Sequence, residues 1–127
     1  MYTPHILIAD SDANVRITLT HLLEYGGYDV RATRPGREVV DCLANGRFKL
    51  LLLEIDIPAQ SGLLLLGAIR RFSPTLPIIV LTSCSDLQTA VSARQFGVSS
   101  YLVKPINPAN LLCQIDKALA GSALFHP

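Results

Sequence analysis

Residues 50–62 read LLLLEIDIPAQSG: four leucines, a carboxylate at Glu54, a second at Asp56, then Pro58 and Gly62. A run that is apolar at every position has no polar face. As a strand it must be covered on both sides, and strands covered that way belong to parallel sheets flanked by helices. The segment therefore predicts an α/β arrangement in which a buried strand delivers a charged group at its carboxyl end.

Outward from it, four more apolar runs stand at 5–9, 28–32, 78–81 and 101–103. Those at 5–9 and 78–81 are apolar almost throughout, like 50–53. The stretches between them have helical spacing. Val15, Leu19, Leu22 and Leu23 share one face of the first, and Val39, Val40 and Leu43 one face of the second. Leu65, Leu66 and Ile69 mark the third, Leu87, Ala90, Val91 and Arg94 the fourth, and Leu111, Leu112, Ile115 and Leu119 the fifth. Gly26-Gly27 and Asn45-Gly46 are expected to close the first two helices. Ser73-Pro74 and Leu76-Pro77 break the chain before the fourth strand. Asn107-Pro108 forms an N-cap and first-turn pair for the last helix. Strict alternation predicts a single doubly wound (βα)5 domain with a five-stranded parallel sheet and right-handed crossovers. The domain is placed at residues 1–121, with 122–127 as a C-terminal tail.

Composition narrows the function. The chain has 127 residues, one domain's worth. Charged residues are 17%, against roughly 25% in an ordinary domain, which points to a surface that docks on something. A net charge of +1 gives no field for direct nucleic acid binding. The N-terminus MYTPHILIAD has neither a basic nor a long apolar region of a signal peptide, and no apolar run approaches the about 18 residues of a membrane span. Cys42, Cys84 and Cys113 follow no metal-binding spacing and are read as reduced thiols of a cytoplasmic protein, Cys84 in a loop.

In such a sheet ligands bind beyond the carboxyl ends of the strands. There the sequence places Asp10-Ser11-Asp12, Glu54 with Asp56, Thr82-Ser83 and Lys104-Pro105. Carboxylates, a hydroxyl and a lysine suit Mg2+ and phosphoryl oxygens rather than zinc. No GxGxxG or GxxxxGK[ST] follows a strand, and the acidic loop after the first strand repels phosphates. A flavodoxin-like nucleotide-binding protein is thus the remote alternative, which absence of flavin colour would dismiss.

ILIADSD, LLLLEIDIPAQSG, IIVLTS and YLVKP together resemble the four signatures of response regulator receiver domains of bacterial two-component systems, in order and spacing over nearly the whole chain. The resemblance implies the flavodoxin-like strand order 2-1-3-4-5 and a signalling module of a phosphorelay rather than an enzyme. It makes Thr82, Tyr101 and Lys104 the switch and phosphate-pocket residues. It puts Glu54 at the phospho-acceptor position, with Pro58 and Gly62 four and eight residues beyond. It also implies a cis Lys104–Pro105 bond. A metal site would use Asp10, Glu54 and the backbone carbonyl of Asp56.

Two departures stand out. Glu54 replaces the accepting aspartate, and its extra methylene moves the carboxylate by about 1.5 Å; misplacement of about 1 Å can cost in-line transfer roughly 100-fold. Ser11 replaces the second acid, which weakens Mg2+ binding. Asp12 is better placed to cap the first helix. Glu54 is then either a built-in phosphate mimic, reaching Lys104 and Thr82, or the inert partner of Lys104 in a structural ion pair. Asp56 is expected to be a solvated loop acid, the alternative being a substitute phosphate acceptor. A conventional receiver phosphorylated by a histidine kinase on Glu54 or Asp56 is the runner-up to a receiver that works by phosphorylation-independent contact. A histidine kinase or an output protein is expected on the face built from the fourth helix, fifth strand and fifth helix, and a homodimer through that face fits the same pattern. Leu64 is expected to be exposed, and Arg70-Arg71 to form a solvated face.

Overall fold

A computed structural model describes residues 5–56 and 59–124. Its elements alternate without exception: β1 His5–Ala9, α1 Ala13–Tyr25, β2 Asp29–Thr33, α2 Arg37–Asn45, β3 Leu50–Glu54, α3 Ala59–Phe72, β4 Ile78–Thr82, α4 Leu87–Arg94, β5 Ser100–Val103 and α5 Pro108–Leu124. The five strands are parallel in the order β2-β1-β3-β4-β5. β2 starts one residue later than its apolar run, and α5 continues to Leu124, inside the segment read as a tail. Pro58 lies outside the described residues.

Strand alternation sorts the core into two halves. Leu7, Ala9, Leu51, Leu53, Ile78 and Val80 face Val39 and Cys42 of α2, Leu66 and Ile69 of α3 and Ala93 of α4. Ile6, Ile8, Leu50, Leu52, Ile79 and Leu81 face Leu19 and Leu23 of α1 and Leu111 and Ile115 of α5. Each buried leucine or isoleucine contributes roughly 1.5–3 kcal/mol relative to an exposed one. The central strands β1, β3 and β4 are therefore held from both sides, as their unbroken apolar runs predict. β2, at an edge, keeps Asp29 and Arg31 exposed, which discourages pairing with another chain.

The caps follow the sequence. Asp12 accepts from the backbone N–H groups of Asn14 and Val15 at the start of α1. Asn107 Oδ1 accepts from Asn110 N at 2.9 Å at the start of α5. Gly27, with φ 93°, turns the chain out of α1 in a conformation that only glycine adopts easily.

Two expectations are corrected. In α4 the inward residue is Ala93, while Leu87 and Val91 are 76% and 51% exposed. That helix has only eight residues, and a small side chain is what packs against the sheet. Arg70 is not part of a solvated face. Its guanidinium donates to the carbonyls of Phe96, Ser73, Pro74, Leu76 and Gly97, at 2.7–3.3 Å. It ties the end of α3 to the loops before β4 and β5. Arg71 is exposed as expected, and Leu64 is 73% exposed. Removing a charged donor from several carbonyls costs about 2–3 kcal/mol. Arg70→Ala is expected to show that loss in urea unfolding, with Arg71→Ala within about 0.5 kcal/mol of native. Equal effects at the two positions would sink the assignment.

Tyr28, just before β2, donates its hydroxyl to Asp116 of α5. Burial first, and then that carboxylate, push the phenol up to about 12. A raised value means the folded state holds the proton more tightly than the unfolded state. Stability from this contact is therefore complete below about pH 10 and is lost as pH rises toward 12. Tyr28→Phe is expected to flatten the native protein's loss of stability over that interval, read as the difference between the two urea midpoints at each pH. An unchanged slope would show that the contact carries no linkage.

Candidate functional site

Parallel register assembles the site. Ala9 lies beside Leu53, so Asp10 emerges next to Glu54. Thr82 pairs with Val103, so Lys104 follows directly beside it. Asp10, Glu54 and Thr82 are the buried polar residues among those described. Burying such groups demands partners, and the loops provide them.

Lys104 Nζ lies 3.0 Å from Asp10 Oδ2 and 3.2 Å from Glu54 Oε2. Ser11 Oγ donates to Glu54 Oε1 at 2.5 Å, and Asp12 N donates to Asp10 Oδ1 at 2.9 Å. Glu54 thus has both carboxylate oxygens engaged within this group. The Lys104–Pro105 bond is cis.

Burial is the largest influence on each charge here. It pushes Asp10 up, and the neighbouring Glu54 adds to that rise. It pushes Glu54 up as well, but hydrogen bonds with Asp10 and Ser11 and the charge of Lys104 outweigh it and hold Glu54 below its ordinary value. Burial pulls Lys104 down, yet the two carboxylates outweigh it and its ammonium is held above the usual range.

Asp56 goes elsewhere. Its Oδ1 accepts from Thr82 Oγ1 at 2.5 Å, and its Oδ1 and Oδ2 lie 3.0 and 2.8 Å from Ser83 N. Thr82 Oγ1 also accepts from Cys84 N at 3.0 Å, and Tyr101 OH donates to Cys84 O at 3.1 Å. The expected pocket residues therefore fall into two groups. Asp10, Ser11, Glu54 and Lys104 form one; Asp56, Thr82 and Tyr101, joined through the backbone of residues 83–84, form the other. Glu54 meets Lys104, while the hydrogen-bonding carboxylate at Thr82 is that of Asp56. Asp56 is exposed, as a loop acid should be, but it is not a bystander. Sequence reasoning missed its role; the signal was a second acid two residues beyond the strand-end carboxylate.

Mg2+ wants several oxygens at about 2.0–2.1 Å. Asp10 and Glu54 share the one ammonium of Lys104, a serine stands beside them, and the Asp56 carboxylate faces Thr82. Among the described residues no group of three or more His, Cys, Asp or Glu is arranged to hold a metal. As placed, the carboxylates of Asp10 and Glu54, which would hold Mg2+, are both bonded to Lys104. Cys42 is buried, and Cys84 and Cys113 are exposed and unbridged.

A buried acid–lysine centre at the carboxyl edge of a 2-1-3-4-5 sheet, with a threonine and a tyrosine beside it, defines a class of phosphosignalling module. The chain belongs to the response regulator receiver domain family, whose model matches residues 6–116. It is 36% identical over 113 residues to the DNA-binding transcriptional regulator NtrC of Klebsiella pneumoniae, covering 89% of this chain and 24% of NtrC. It is 32% identical over 120 residues to the transcriptional regulatory protein ZraR of Escherichia coli O157:H7, covering 94% of this chain and 27% of ZraR. The chain thus spans about a quarter of the length of these curated relatives. Among solved structures, a CheY-like receiver domain protein from Methanospirillum hungatei JF-1 superimposes with a TM-score of 0.91 at 28% identity, covering 98% of this chain and all of that one. Receiver domains of response regulators are signalling domains that interact with histidine kinases and output domains, and they commonly bind Mg2+ at the acidic phosphorylation site. No helix among the described residues is long and apolar enough to cross a membrane.

Proposed function

We propose that this receiver is atypical: it signals through protein–protein contact with little or no control by phosphoryl transfer. The observation that carries this is the engagement of Glu54. At the position read as the phospho-acceptor, its two oxygens are taken by Ser11 and Lys104. An attacking carboxylate needs a free oxygen aimed at the phosphorus, and a metal to draw charge from the phosphoryl group. Neither suits this arrangement, and Ser11 in place of an acid weakens Mg2+ binding further.

The docking surface in this reading is the α4–β5–α5 face. Leu87 and Val91 of α4 and Val103 of β5 are exposed apolar side chains on neighbouring elements, the composition expected of an interface centre. Its occupant is a histidine kinase, an output protein or a second copy of this chain, in a cytoplasmic setting. A net charge of +1 argues against direct nucleic acid contact by this segment.

The experiment is intact-protein mass after incubation with acetyl phosphate and Mg2+, on the native chain and on Glu54→Asp. The native chain is expected to stay unmodified, and Glu54→Asp to gain one phosphoryl mass. A phosphoryl gain on the native chain would overturn the proposal in favour of a conventional phospho-receiver using Glu54 or Asp56.

A further inference from the structure

We propose that Asp56 is a positioning residue: an internal anion that holds the β4–α4 loop, residues 83–86, in a single conformation and through it sets Tyr101. This rests on the reading that the chain works without phosphoryl transfer, since some other group must then order the loop.

The argument starts from donors. Thr82 Oγ and the amide of Ser83 both point to one place just beyond β4, and there the Asp56 carboxylate accepts from both. Hydrogen bonds to an ionised acceptor are roughly twice as strong as neutral ones. Thr82 Oγ1, while donating to Asp56, accepts from Cys84 N. The carbonyl of the same residue, Cys84 O, accepts from the Tyr101 hydroxyl. A continuous chain of bonds thus runs from Asp56 through the loop backbone to β5. The far end of the loop is fixed independently, because Asp86 caps α4 by accepting from Thr89 N at 3.1 Å and Thr89 Oγ1 at 3.0 Å.

Glu54 does not compete for this role. Its oxygens are held by Ser11 and Lys104 on the other side of the site. The two carboxylates therefore divide the work, with Glu54 on the lysine and Asp56 on the hydroxyl and amide. The loop that Asp56 holds leads straight into Leu87, the exposed apolar start of α4. Asp56 thereby governs how the α4 end of the docking face is presented.

The test is backbone amide exchange by NMR on the full chain, with no phosphodonor and no metal. In Asp56→Ala the Ser83 and Cys84 amides are expected to exchange about tenfold faster or more. The Tyr101 ring resonances are expected to shift, while amides of β3 such as Leu51 and Leu53 keep their native rates. Asp56→Asn, which keeps the shape and loses the charge, is expected to fall between, and it carries the test if Asp56→Ala fails to fold. Glu54→Gln is expected to leave Ser83 within about twofold of native. The proposal is overturned if both Asp56 variants leave Ser83 and Cys84 at native rates, or if Glu54→Gln loosens them as much as Asp56→Asn. A phosphoryl gain in the mass experiment would instead remove the phosphorylation-independent reading, and the exchange result for the loop would still stand on its own.

Discussion

Lys104→Ala is expected to lower the unfolding free energy at neutral pH by about 3 kcal/mol. Breaking a buried ion pair from one side costs roughly 3–5 kcal/mol because the remaining charge stays buried without a partner. The low end applies because the Lys104 side chain is 20% exposed, so water already screens part of the pair. Two carboxylates depend on this one ammonium, Asp10 at 3.0 Å and Glu54 at 3.2 Å, and both are buried. Without it they face each other with like charge.

The pH dependence separates this from a simple packing loss. In the native protein Glu54 is held below its ordinary value, so its contribution is present above the usual carboxylate range and fades as pH falls through the lowered value. Asp10 is pushed up and acts in the opposite sense. In Lys104→Ala the carboxylates lose the cation that favoured their charged forms. Protonating either one then relieves the repulsion. The stability gap between native and variant is therefore expected to narrow as pH falls toward 4, the neighbourhood of ordinary carboxylate values. Adding Glu54→Gln to Lys104→Ala should recover part of the loss at neutral pH, since one buried charge is removed. Urea unfolding of the three proteins between acid and neutral pH checks both points. A gap that is constant with pH would mean that lost contacts, not unpaired charge, carry the cost.

Gly62→Ala is expected to destabilise the fold by about 3 kcal/mol, at the upper end of overpacking costs, and to lower the melting temperature by on the order of 10 °C. A Cβ at Gly62 would stand 2.3 Å from the carbonyl oxygen of Ile55 and 2.8 Å from its C and Cα. Those are backbone atoms just beyond β3, and they cannot swing aside as a side chain would. The sign is diagnostic. Glycine to alanine inside a helix ordinarily gains about 1 kcal/mol, and Gly62 lies within α3. A variant as stable as the native chain, by calorimetry, would mean that α3 slides to make room. Because Ile55 precedes Asp56, the same substitution is expected to disturb the carboxylate on Thr82 even where the protein still folds.

Much of this was open to inspection in the chain alone. Unbroken apolar runs at 6–9, 50–53 and 78–81 announce strands covered on both faces, and all of these residues are buried. The residue that ends or follows each parallel strand is then brought to the same sheet edge, which makes Asp10, Glu54, Thr82 and Lys104 recognisable as one neighbourhood. The caps at Asp12 and Asn107 were equally visible, since a short polar side chain before a helix has one obvious use. α4 was not. Its apolar spacing named Leu87 and Val91 as inward, but periodicity measures a pattern within one element and says nothing of how the element is rotated against the sheet. Arg70 was misread for a related reason. Some of its acceptor carbonyls belong to residues 96 and 97, 26 and 27 positions along the chain, and backbone acceptors leave no trace in side-chain pattern.

The sequence by itself determined the layered parallel sheet and the set of groups at its carboxyl edge. Side-chain polarity decides what is buried, and strict alternation of strand and helix puts the carboxyl ends of the parallel strands on one edge. Only the tertiary structure decided which carboxylate serves which donor. Glu54 and Asp56 are two residues apart, and either has the chemistry to face Lys104 or Thr82. Just beyond β3 the chain is closely packed, with Gly62 of α3 against the backbone of Ile55. In the folded chain Glu54 stays with Lys104, while the Asp56 carboxylate lies against Thr82 and Ser83.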